Sequence, residues 1–318
     1  MKSIAIDIGG TTTTYGIVDD SGRIISKDSF LTKGPESLEE YLHLLKDGIR
    51  KMLSQADSES EIVGIGIGAP CANYITGEID GATDLPWPSP IPLKKIFENE
   101  FGVPVVVAND AKAAAIGEMQ FGAAKGIRNF IMLTLGTGVG SSIVCDGHLL
   151  SGARGFAGEL GHVSLSDSKM RKCNCGRYDC LQNYCSASGI LETARLILKE
   201  SDTASPLRDI PVNELSPKLI YDMAKEGDAV SVLIYEKTAE ALGKACASYA
   251  AFSDPEAFVF FGGVANAFDI MEPTMRKTME ENILFLYGNR IKLLQSTLNE
   301  ADAALLGASA LVFETLSK

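Results

Sequence analysis

Gly155 to Gln182 reads GFAGELGHVSLSDSKMRKCNCGRYDCLQ, and the rest of the chain is read outward from it. One imidazole and three thiols fall close together here: His162, Cys173, Cys175 and Cys180. Soft thiolates with one imidazole are a donor set that Zn²⁺ takes tetrahedrally. Four protein ligands close the coordination shell, so such a metal is structural and not hydrolytic. The competing reading is three buried or idle thiols, since free cysteine behaves as a small hydrophobe. The Cys-x-Cys-Gly segment is too polar and too rich in Arg and Lys to make a good core strand. A disulfide suits an odd number of clustered cysteines poorly. Zinc would clip the loop in place and fix His162, whose second ring nitrogen could then face a ligand. Glu159 and His162 alternate with Gly158 and Gly161, where a ligand could approach the backbone closely.

The 318 residues are 46% hydrophobic, enough for one large or two medium domains. No apolar run of 18 residues is present, so no membrane span is expected. The first residues, MKSIAIDIGGTTTTYG, lack the pattern of a signal peptide. Seven cysteines in such a chain suggest a reducing cytoplasm. A formal charge of −12 disfavours nucleic acid and anionic membranes as partners. It leaves room for an anionic cofactor held by backbone amides and Mg²⁺.

Read in order, residues 3–8, 14–19 and 23–29 form a three-stranded antiparallel meander. Its first turn carries Asp7, Gly9, Gly10, Thr11 and Thr12, where glycines and hydroxyls could wrap a phosphate chain and Asp7 could hold Mg²⁺ through water. An ordinary hairpin is the alternative. Residues 36–54 are helical and 62–68 form a buried strand ending at Gly68. A Gly-x-Gly-x-x-Gly match fails there at Ala69, against a dinucleotide site. Residues 71–92 read as a long polar loop with Asn73, Thr83, Asp84 and Trp87, either functional or a plain surface loop. A helix ends at Gly102. The strand VPVVVAND then delivers Asn109 and Asp110 to its carboxyl end, where open α/β sheets place ligands. Asp110 has a second reading as the cap of the following helix.

Residues 129–135 and 139–145 form a second strand pair around Gly136-Thr137-Gly138. This repeats the strand, Gly/Thr turn, strand order of the N-terminus and suggests a duplicated architecture. Asp146-Gly147 is a hairpin turn. Residues 186–199 and 216–226 are helical, and 229–251 form an Ala-rich helix suited to close packing or a dimer face. The strand at 258–266 leads to Gly262-Gly263, which could admit a flat purine or be a plain strand-to-helix turn. A strand at 291–294 and a helix at 302–316 close the chain. Hinges are expected at 117–126 and 300–303.

The order of these motifs carries more than any one. Asp-x-Gly-Gly-Thr, Asn-Asp, Gly-Thr-Gly-x-Gly, Gly-x-x-Gly-Glu-x-Gly-His, Cys-x-Cys-Gly-x-x-x-Cys and Gly-Gly together resemble the ROK family of sugar kinases and sugar-responsive repressors from end to end. The resemblance implies an α/β, two-domain fold of the actin, Hsp70 and hexokinase (ribonuclease H-like) group with an interdomain cleft. The hinges expected above give domains of 1–117 plus 302–318 and of 118–301. The implied activity is ATP-dependent phosphorylation of a hexose, generally at O6, with glucose the first substrate. N-acetylhexosamines, fructose, mannose, allose or β-glucosides are the alternatives. Asp110 matches the family's catalytic base, and Asn109, Glu159, His162, Gln182 and Gly68 the sugar contacts. Asp7, Gly9, Gly10, Thr11 and Thr12, with Thr137, Gly138, Gly262 and Gly263, match the ATP and Mg²⁺ contacts. His162, Cys173, Cys175 and Cys180 match the zinc ligands. A homodimer is the usual assembly.

The chain departs from the family pattern twice. Asp179 replaces Gly, and Gln182 replaces Glu. A non-catalytic sugar sensor would be expected to have lost Asp110. A repressor would be expected to carry a winged helix ahead of Asp7, where only six residues stand.

Overall fold

The computed structural model describes residues 1–56, 61–81, 85–287 and 290–316. Contacts divide the chain into two units: 1–126, 151–157 and 297–318 form the first, 127–150 and 158–296 the second. The backbone therefore passes from one unit to the other after residues 126, 150, 157 and 296.

In the first unit, β1 (Lys2–Ile8), β2 (Thr12–Asp19) and β3 (Ile24–Leu31) form the expected antiparallel meander. After α1 (Leu38–Ala56), β4 (Ile62–Gly68) joins β1 in parallel. The short strands β5 (Ala72–Asn73) and β6 (Glu78–Ile79) pair with each other. Then α2 (Leu93–Phe101) ends at Gly102, whose φ of 68° is the left-handed turn glycine accommodates. The strand β7 (Val105–Ala108) adds to β4, and α3 (Asp110–Phe121) follows at once. The sheet order is β3-β2-β1-β4-β7. Ile4, Ile6, Ile65 and Ile67 alternate onto the face covered by Tyr41, Leu45 and Ile49 of α1.

The second unit repeats the plan. Its strands are β8 (Phe130–Leu135), β9 (Val139–Cys145) and β10 (His148–Leu149). Helices α4 (Gln182–Cys185), α5 (Ala187–Glu200), α6 (Pro217–Lys225) and α7 (Ala229–Ser253) come next. Then β11 (Ala257–Phe261), α8 (Phe268–Asn282) and β12 (Lys292–Gln295) complete it. The order β10-β9-β8-β11-β12 matches the first sheet strand for strand, with antiparallel pairs first and parallel pairs after. The final helix, α9 (Glu300–Leu316), returns to the first unit.

Several local readings change. The glycines of β4 serve packing, since a Cβ on Gly66 would collide with the Ala308 carbonyl of α9. Residues 71–92 are not one loop: β5 and β6 organise them, and Trp87 is buried with its ring centroid 4.2 Å from that of Tyr41. Thr83 and Asp84 lie outside the described residues. The Ala-rich α7 packs inside its own unit, because a Cβ on Gly243 would stand 2.6 Å from the Met275 carbonyl oxygen of α8. Helix α8 follows Gly262-Gly263, as the strand-to-helix alternative there has it, and runs for 15 residues. Pro273 within it reads as a break, yet Met271, Met275 and Met279 bury one face and carry the helix past it. No helix among the described residues is long and apolar enough to cross a membrane.

Candidate active site

Strand register assembles the first group of site residues. Asp7 of β1 pairs with Gly68 of β4, and Gly68 pairs with Ala108 of β7. Asp7, Gly68, Asn109 and Asp110 therefore arrive at the carboxyl end of one parallel array, the end where open sheets bind ligands. Gly68 borders the acid directly: a Cβ there would stand 3.8 Å from Asp7 Oδ1. The Gly9–Thr12 turn opens at the same end. Gly9 N donates to Thr12 O at 3.0 Å, and Thr32 Oγ1 donates to Gly9 O at 2.7 Å. Gly9 is needed for space and not for φ, since a Cβ would stand 2.9 Å from Thr12 O. The hydroxyl-bearing residues Thr11 and Thr12 are exposed.

Helix α3 is capped by Asn109, whose Oδ1 accepts from Lys112 N at 2.9 Å. The cap reading of Asp110 is thereby corrected, and its carboxylate is left for other work. Asp110 is open to solvent at its surface. Protein nonetheless crowds it, and this burial pushes its carboxyl up to about 6. Asp7 is pushed up to about 7, first by burial and then by the Asp110 charge. Two carboxyls that resist ionising together suit a site that receives a cation and a proton.

The second unit holds the other group. Gly136-Thr137-Gly138 turns between β8 and β9, with Gly136 N donating to Gly138 O at 3.0 Å. Gly262 and Gly263 follow β11, the strand paired with β8, so both turns leave at one end of the sheet. Gly262 has φ 96°, and a Cβ would stand 2.6 Å from Leu135 O. A polar cavity of about 500 Å³ is lined by Thr137, Gly138, Lys172, Asn174, Gln182 and Ser188, among others. The sequence gives no sign that Lys172, Asn174 and Ser188 line this cavity; Ser188 lies in the first turn of α5, behind the cap residue Ser186.

Glu159 precedes a short 3-10 turn, Leu160–His162, that ends on His162. Ser141 Oγ donates to Gly158 O, Leu160 N donates to Ser141 Oγ at 2.9 Å, and Tyr249 donates to Leu160 O at 2.7 Å. Gly158 and Gly161 have a packing reason of their own, beside the expected ligand approach. Their missing side chains admit strand β9: a Cβ on Gly158 would stand 3.2 Å from Ser141 O, and one on Gly161 would collide with Val139 O.

His162, Cys173, Cys175 and Cys180 bring one ligand atom each within 4.8 Å of one another. Cys175 and Cys180 Sγ are 3.7 Å apart, and His162 Nδ1 is 3.7 Å from Cys173 Sγ. Two thiolates about 2.3 Å from a tetrahedral zinc would stand about 3.8 Å apart, so the donor set fits the ion. All seven cysteines are free thiols. Burial, then Cys173 and Cys175, push Cys180 up to about 12, a crowding of sulfurs that a cation relieves. Nδ1 faces the sulfurs, which leaves Nε2 as the outward nitrogen of His162. Gln182 Nε2 donates to Cys173 Sγ at 3.1 Å and to Asn174 Oδ1 at 2.8 Å.

A family model for ROK matches residues 3–315. The chain belongs to the ROK family. It is 34% identical over 312 residues to a glucokinase of Halalkalibacterium halodurans, covering 97% of this chain and 94% of the relative. A glucokinase of Thermotoga maritima is 31% identical over 325 residues, at 99% and 98% coverage. Among solved structures, a ROK glucokinase of Streptomyces griseus in complex with glucose and AMPPNP matches with a TM-score of 0.73 and 31% identity, over 98% of this chain and 99% of that one. The two matched sheets of this ROK protein are those of the actin and hexokinase group.

Proposed function

We propose that this chain is an ATP-dependent sugar kinase that transfers the γ-phosphate of ATP to a hexose hydroxyl, O6 of glucose first. The observation that carries the reading is the register that brings Asp7 and Asp110 to one sheet end beside the Gly9–Thr12 turn. A sugar hydroxyl is a weak nucleophile. Asp110 accepts its proton as the oxygen–phosphorus bond forms and the bond to the departing ADP oxygen breaks. Asn109, Glu159, His162 and Gln182 hold sugar hydroxyls, with Gly68 at the floor. Thr11, Thr12, Thr137, Gly138 and the Gly262-Gly263 turn hold the nucleotide. Mg²⁺ accompanies ATP, with Asp7 its protein partner, and supplies charge compensation for the phosphates. One zinc fills the His162–cysteine cluster. The working assembly is a cytoplasmic homodimer, which light scattering against the 33.9 kDa chain mass checks.

The test is coupled ADP release with glucose, mannose, fructose, N-acetylglucosamine, N-acetylmannosamine, allose and β-glucosides. ADP release that no sugar stimulates would overturn the reading. The pH profile adds a prediction. A base held near 6 must be ionised to work, so kcat/KM should rise with pH through about 6 and fall about tenfold per unit below it. A profile flat from pH 5 to 8 would remove Asp110 from the role.

An acetylated or C1-substituted sugar is the second reading, and Gln182 favours it. A carboxylate only accepts, whereas an amide also donates; Nε2 here donates to Cys173 Sγ and Asn174 Oδ1, so donation to an acetyl or glycosidic oxygen would replace one of these two bonds. Gln182→Glu should change kcat/KM for glucose relative to C1- or C2-substituted sugars by roughly tenfold or more. A uniform change across the panel would show that Gln182 does not choose the sugar.

A further inference from the structure

Asp179 stands immediately before Cys180 with φ 52°, a left-handed backbone that Asp tolerates better than most residues. It is fully buried. Its carboxylate accepts five hydrogen bonds from one short stretch and one helix. Oδ1 takes Arg171 N at 2.9 Å and the Tyr184 hydroxyl at 2.9 Å. Oδ2 takes Ser168 Oγ at 2.9 Å, Ser166 Oγ at 3.2 Å and Met170 N at 3.2 Å. The backbone joins in, with Asp179 N donating to Arg171 O at 2.8 Å and Leu165 N to Asp179 O at 2.9 Å. Arg171 carries the hold onward. Its guanidinium lies 4.3 Å from the Tyr184 ring centroid and donates to Asn183 O at 2.7 Å, Gly189 O at 3.2 Å and Thr193 Oγ1 at 3.0 Å.

None of these groups is a candidate zinc ligand. We infer that Asp179 is a second, metal-independent fastener of this loop: it holds residues 164–171 against α4 and α5, while the metal cluster organises only the 172–178 knuckle between its cysteines. A buried carboxylate with every lone pair engaged is worth more than neutral hydrogen bonds of the same number. Glycine at 179 would keep the backbone conformation and supply none of the five bonds. Asparagine would keep the conformation and the shape, but would aim an NH₂ at groups that already donate. The inference rests on the metal reading only for the knuckle.

The experiment is amide hydrogen exchange read by mass spectrometry on the full chain, with metal content measured before and after chelation. Wild type, Asp179→Gly and Asp179→Asn are compared. In wild type, chelation should open 172–178 and leave 164–171 protected. In Asp179→Gly and Asp179→Asn, residues 164–171 should exchange about 10- to 100-fold faster with metal still bound. If chelation opens 164–171 as fully as 172–178 in wild type, the fastener is wrong. If the purified chain holds no metal, the zinc reading fails by itself. The fastener is then judged on 164–171 in metal-free wild type against Asp179→Gly, and equal exchange overturns it.

Discussion

Asp110→Asn should lower turnover by about 10²–10⁴ and leave sugar binding in place, the loss expected when a general base is removed. Two features make the substitution clean. Helix α3 keeps its cap, because Asn109 and not Asp110 accepts from Lys112 N. The amide also keeps the size of the carboxyl while removing its charge from a crowded position. The stability sign separates lost chemistry from lost folding. The folded carboxyl sits at about 6, above its ordinary 3.8. Its contribution to stability is therefore fully present below the unfolded value and is lost as pH rises through about 6. At pH 8 the ionised Asp110 works against the fold, so the Asn variant should melt no lower than wild type. Coupled ADP release, sugar titration and a melt at pH 8 make the test. Near-normal turnover would return Asp110 to a helix-start residue, and a lowered melting point would make the turnover loss uninformative about the base.

Removing the metal should have the next largest effect. Elemental analysis should find one zinc per chain. Cys175→Ser should weaken its binding by more than about 100-fold, beyond what the loss of an outer-shell partner costs. Sugar binding should weaken with it, because His162 Nδ1 faces the sulfurs and the metal sets the direction of Nε2. A metal-free chain with full activity, and no thiolate–cobalt absorption after cobalt substitution, would rule this out. Loosening should stay within the knuckle if Asp179 fastens the rest.

Much of this was legible in the sequence because it rests on local chemistry. The meander, the Asn109-Asp110 strand end and the two Gly/Thr turns follow from alternation and glycine placement, and the sheets realise them. The Cys-x-Cys-Gly spacing exposes the ligand cluster without any structure. What could not be read depended on partners distant in sequence. The reason for Gly66 is a carbonyl at Ala308, and that for Gly161 a carbonyl at Val139. The strand-to-helix alternative at Gly262-Gly263 gave no length for α8, which runs through Pro273 on the buried face of Met271, Met275 and Met279. Trp87 read as a loop residue until Tyr41 packed against it. Asp179 stood out as a departure, but a sequence cannot show that five donors converge on it.

Because the backbone passes between the units four times, neither is a continuous segment of the gene. A protease nick at any one of those passages leaves three covalent tethers, so cleaved protein should migrate as fragments under denaturing conditions and as one particle under native ones. Truncation is equally constrained. A chain stopped after residue 126 would lack α9, whose Ala308 and Gly307 lie against β4 and α3, and would leave the glycines at 66 and 117 facing a void. The amino-terminal unit thus becomes complete only once residues 297–318 have been synthesised, which delays its final packing until after the second unit has been made.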